Sequence, residues 1–78
     1  MAQIPYVTSN GRFTAEVQLK NASNVFLVDE ANFRRYRSGD DFTYYGGFYD
    51  KTPVRITVSG VGRYYLIVEN SDYKYRFI

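Results

Sequence analysis

Residues 12–19 alternate without a break: Phe13, Ala15, Val17 and Leu19 fall on one side, Arg12, Thr14, Glu16 and Gln18 on the other. A period of two over that length predicts a half-buried strand. The pattern returns at 54–59, where Val54, Ile56 and Val58 are set against Arg55, Thr57 and Ser59. Two other runs, at 25–28 and 64–68, are apolar on both sides and predict strands covered on each face. Residues 42–45 and 73–78 read as further short strands. Residues 3–7 read as an edge strand, because Pro5 removes a ladder donor.

Turn signals separate these runs. Thr8-Ser9-Asn10-Gly11 contains Asn-Gly, a strong hairpin signal. Residues 20–23, Gly46-Gly47, Gly60-Val61-Gly62 and residues 70–72 supply the other connections. One segment is different in kind. Residues 30–38 contain neither Gly nor Pro, with Asp29 placed to cap the start of a helix and Gly39 to end it. Glu30 and Arg34 stand four apart in the favourable order. Arg34, Arg35 and Arg37 crowd the last turn, where the helix dipole favours cations. Phe33 and Tyr36 share a face, which is expected to cover the second apolar side of the sheet and make core of Tyr65 and Ile67. The sum is an all-β fold: a small antiparallel β-sandwich of about seven strands, capped by one short helix, in a single domain over 1–78.

Composition narrows the picture. The 78 residues include no cysteine and no histidine, which removes disulfides and an ordinary zinc site as supports. Nine tyrosines and six phenylalanines must supply the burial instead. A net charge of +2 is only mildly basic, short of the concentrated charge that strong nucleic-acid binders carry. No charged segment followed by an apolar stretch opens the sequence, and no apolar run approaches the roughly 20 residues of a membrane span. A soluble, cytoplasmic protein without a membrane partner is the expectation.

Four segments carry a resemblance: NVFLVD at 24–29, NFRRYRSG at 32–39, YYGG at 44–47 and PVRITVSGVGRYYLIV at 53–68. Together they resemble the bacterial domain-of-unknown-function family 1883. The resemblance implies a compact β-sandwich, sometimes joined to TIR-like signalling domains, and hence a recognition or assembly part. Arg63-Tyr64 stand where the family often has His-Trp, and the C-terminal SDYKYRFI is shorter than the family's extended segment. No activity comes with the resemblance.

Chemistry is weakly signalled. A nucleophile beside a histidine base is excluded by composition. Lys20, Lys51 and Lys74 sit in or near turns or on a solvent face, poor places for a serine–lysine pair. Asp40, Asp41 and Asp50 could converge as a carboxylate or calcium site. Their spacing matches no calcium loop, and pairing with the neighbouring arginines is the plainer reading. The chain is therefore expected not to be an enzyme and to need no cofactor or metal.

The candidate binding residues are Arg34, Arg35, Arg37, Tyr44, Tyr45 and Tyr49, because aromatic faces beside guanidiniums stack on sugars, bases and peptide side chains. Tyrosine also gives large contact area at low entropic cost. The leading expectation is a non-catalytic module that binds a protein partner or a carbohydrate-like polymer through residues 34–49. The alternative is a homo-oligomeric assembly component that pairs through edge strands near 3–7 or 73–78. Single-stranded nucleic acid ranks last.

Overall fold

The computed structural model describes residues 4–69 and 73–78. The elements run β1 (Tyr6–Leu19), β2 (Ser23–Asp29), α1 (Glu30–Ser38), β3 (Tyr45–Tyr49), β4 (Val54–Val68) and β5 (Tyr73–Phe77). The strands form one antiparallel sheet in the order β3-β2-β4-β1-β5. The all-β class and the single short helix agree with the sequence reading. The strand count and the two-sheet arrangement do not.

The difference has one physical source. The two segments read as turns, at 8–11 and 60–62, are partners of each other across the β1–β4 ladder: Ser9 faces Gly62, Asn10 faces Val61 and Gly11 faces Gly60. Each pair of expected short strands is therefore one long strand. The buried Ser9 hydroxyl donates to the Gly60 carbonyl at 2.6 Å and accepts from the Gly11 amide at 3.2 Å, adding side-chain bonds to the ladder at this point. A Cβ on Gly60 would collide with the Tyr64 hydroxyl, so glycine there makes room for a buried tyrosine. The expected turn at 70–72 and the start of the expected strand at Gln3 lie outside the described residues.

Phe13, Ala15, Val17, Val25, Leu27, Val54, Val58, Tyr64 and Leu66 form the inner core, joined by half-buried Tyr49, Tyr73 and Phe77. All five strands thus contribute to one apolar cluster, although no helix among the described residues lies on that face. A sheet can bury its own inner face only by bending over itself, and Gly46 on β3 lies close against Ile56 in the first half of β4. Gly46 also corrects an expectation: Gly46-Gly47 do not end a strand but lie inside β3. Its φ of 134° suits only glycine, and a Cβ would strike the Val25 carbonyl oxygen and approach Phe26 Cα to 2.9 Å. The strand shifts from 42–45 to Tyr45–Tyr49 because only a glycine lets it approach β2 so closely.

The helix lies where the sequence places it. The Asp29 carboxylate accepts from the Asn32 amide at 2.8 Å, capping the N-terminus. Gly39, at φ 81°, ends it, with the Gly39 and Asp40 amides donating to the Tyr36 and Arg35 carbonyls. Glu30 and Arg34 form the expected exposed pair at 3.5 Å. Phe33 and Tyr36 pack on Phe26, Val28 and Ile67, so the helix covers the outer face of β2 and the second half of β4. Phe33 stacks on the ring of half-buried Tyr65 at 4.0 Å and 11°. No helix among the described residues is long and apolar enough to cross a membrane.

Candidate functional site

Asn32 determines how the chain leaves the helix. Its amide nitrogen donates to Asp29 at 2.9 Å, and its carbonyl oxygen accepts from the Thr43 backbone at 2.8 Å. One side chain therefore ties the helix start to the segment that carries Phe42 and Tyr44. Both rings are drawn onto Phe26, the buried aromatic on the outer face of β2.

Four rings meet there. Phe26 lies 5.9 Å from Tyr36 (72°), 5.9 Å from Phe42 (34°) and 5.4 Å from Tyr44 (55°). Phe42 in turn lies 5.3 Å from Tyr36 and 5.7 Å from Tyr44. These tilted and edge-on arrangements suit the ring quadrupoles and hold the cluster firm. The rings line a shallow groove of about 340 Å³, whose other walls are Gly47, Asn24 and Glu69. The Asn24 amide donates to the Glu69 carboxylate at 2.9 Å, fixing a polar pair at the edge of an apolar floor. Tyr44 remains 50% exposed even within this cluster, so its ring is available to a ligand.

The six residues singled out from the sequence do not form one site. Tyr44 belongs to the groove. Tyr45 and Tyr49 belong to the opposite face: Tyr45 meets Tyr64 edge-on at 6.5 Å, and Tyr49 packs against the inner core. Burial raises the pKa of the Tyr64 hydroxyl above the usual tyrosine value, as expected for a ring in that core. Arg34 is taken up by Glu30, Arg37 lies over the Phe33 ring at 5.8 Å, and Arg35 is exposed; none of the three lines the groove. Asp40 and Asp41 form no ion pair with these arginines among the described residues. No group of three metal-ligating side chains converges among the described residues either.

Sequence reading missed Phe26, Phe42, Asn24 and Glu69 as groove walls. The available signal was that Phe26 breaks the alternation of β2 and needs partners outside the sheet.

A second arrangement escaped the sequence altogether. Glu16, placed on the polar side of β1, is only 6% exposed. Arg76 on β5 donates its Nε to one carboxylate oxygen at 2.7 Å, and Arg55 on β4 donates its Nε to the other at 2.8 Å. These bonds, Arg76's first, hold the carboxyl below its usual pKa against the opposing effect of burial. Glu16 faces both arginines directly in the two ladders, so one carboxylate ties three strands together.

The family model described as Domain of unknown function (DUF1883) matches residues 9–75. The chain belongs to that family. The match spans most of the β1–β4 ladder, the helix and the aromatic groove. No curated protein and no solved structure matches the chain.

Proposed function

We propose that this DUF1883 domain is a non-catalytic binding module whose recognition surface is the groove over Phe26. The observation that carries the reading is the four-ring cluster with Tyr44 half exposed beside the Asn24–Glu69 pair. Binding sites combine an apolar floor with a few fixed polar groups, and this groove has both. Its ligand is a segment of a protein or of a carbohydrate-like polymer, which would lay an apolar face on Tyr44 and Phe42 and meet Asn24 and Glu69 with hydrogen-bonding groups.

The test pairs Tyr44→Ala with Tyr45→Ala in a screen against glycan and peptide arrays. The groove reading expects Tyr44→Ala to lose the ligand and Tyr45→Ala to keep it. Equal retention by both variants would end the reading.

A further inference from the structure

The outer face of the sheet has two halves. One carries the helix and the aromatic groove. The other, formed by β5, β1 and the first part of β4, carries no helix among the described residues, and its described side chains are polar. Thr14 and Thr57 join hydroxyls across it at 2.9 Å, fixing which side chains share this side. Alternation then places Arg12, Glu16 and Gln18 of β1, Arg55 of β4, and Lys74 and Arg76 of β5 on the same face. Among the described residues, four cations stand there against one carboxylate, on a chain whose total charge is only +2.

The single carboxylate does not simply cancel the arginines. Glu16 is covered, its side chain 7% exposed, whereas Arg55 and Arg76 remain 65% and 68% exposed. Each guanidinium is bound to Glu16 through Nε, so its five donors are only partly used in that bond. A guanidinium held in place loses less freedom when it binds an anion. Beside Arg76 lies a hollow of about 330 Å³ lined by Glu16, Gln18, Lys74, Tyr75 and Arg76.

We infer that this hollow binds a phosphomonoester group, with Arg76 and Lys74 as direct donors, Arg55 as a flanking cation and Glu16 as the residue that positions both arginines. A phosphate dianion offers three acceptor oxygens and enough charge to match such a cluster. Apart from Tyr75 at the side of the hollow, the face presents no ring on which bases could stack, which sets it apart from a single-stranded nucleic-acid platform.

The experiment follows the Nε–Hε resonances of Arg55 and Arg76 by NMR at constant ionic strength, with phenyl phosphate, inorganic phosphate and a short oligo-dT as separate probes. The expected result is a saturable shift of both resonances with the two phosphates. Lys74→Gln leaves both Glu16 ion pairs intact and should weaken binding several-fold; Arg55→Gln/Arg76→Gln, followed through the backbone amides of β5, should weaken it about tenfold or more. Arg34→Gln/Arg35→Gln, on the helix, should change nothing. Absence of saturable shifts, or equal weakening by the helix variant, overturns the site. Tighter binding per phosphate by oligo-dT than by phenyl phosphate overturns the monoester assignment.

Discussion

Gly46→Ala tests the packing of the fold at its tightest point. The added Cβ meets the Val25 carbonyl oxygen, Phe26 Cα at 2.9 Å and Ile56 Cδ1 at 3.1 Å. Two of these are backbone atoms in a paired strand and cannot swing aside. The φ of 134° adds conformational strain of about 1–3 kcal/mol for any residue with a side chain. Forcing a methyl into a filled site adds about 1–3 kcal/mol more. Together that is about 2–6 kcal/mol, from a domain whose whole stability should be about 4–12 kcal/mol. At about 4–8 °C per kcal/mol, the melting temperature should fall by at least about 8 °C. Gly47→Ala is the internal control: it lies in the same strand, has no positive φ, and its Cβ would meet nothing within 4 Å. Its cost should stay within about 0.5 kcal/mol. Urea unfolding followed by circular dichroism measures both. Equal stability for the two variants, or a Gly46→Ala cost under about 1 kcal/mol, would refute the close approach of β3 to β2 and β4.

Other outcomes follow from the same contacts. Asp29→Ala should cost about 1 kcal/mol by removing the cap on Asn32, with a corresponding loss of helix signal on heating. Glu30→Gln, which breaks only an exposed pair, should change stability by less than about 0.5 kcal/mol. Glu16 has a lowered pKa in the folded state, so its contribution is complete above the usual carboxylate range and lost as pH falls through the lowered value. Acid titration should therefore show stability falling with pH below that range, and Glu16→Gln should flatten the slope; an unchanged slope would mean the two arginines do not hold the carboxylate. Phe26→Ala removes the ring on which Tyr36, Phe42 and Tyr44 converge and should cost about 3–5 kcal/mol in the same urea assay.

The helix was legible from its own residues because its signals are local: Asp29 caps it, Gly39 ends it, and nothing between interrupts it. The alternating halves of β1 and β4 were legible for the same reason. Where the reading failed, the deciding partner was distant in sequence. Ser9-Asn10-Gly11 looks like a turn until Gly60-Val61-Gly62 is placed opposite, about fifty residues away, and Gly46 looks like a strand end until Val25 is placed beside it. Burial of Glu16 needs the register of two ladders, which alternation alone does not give. The same limit split the proposed Arg/Tyr site. Closeness in sequence suggested one surface for Arg34 through Tyr49, but β3 places Tyr45 and Tyr49 on the other side of the sheet, Tyr49 against the inner core and Tyr45 exposed beside Tyr64, while Tyr44 stays with Phe26.

The groove over Phe26 is the proposed binding surface. The most direct test is an amide and aromatic NMR titration of the wild-type domain with oligosaccharide and peptide pools, repeated with Tyr44→Ala. Saturable shifts confined to Asn24, Phe26, Tyr36, Phe42, Tyr44 and Glu69, and abolished by the substitution, are expected. Shifts gathered along β5, or shifts that survive Tyr44→Ala unchanged, would contradict it.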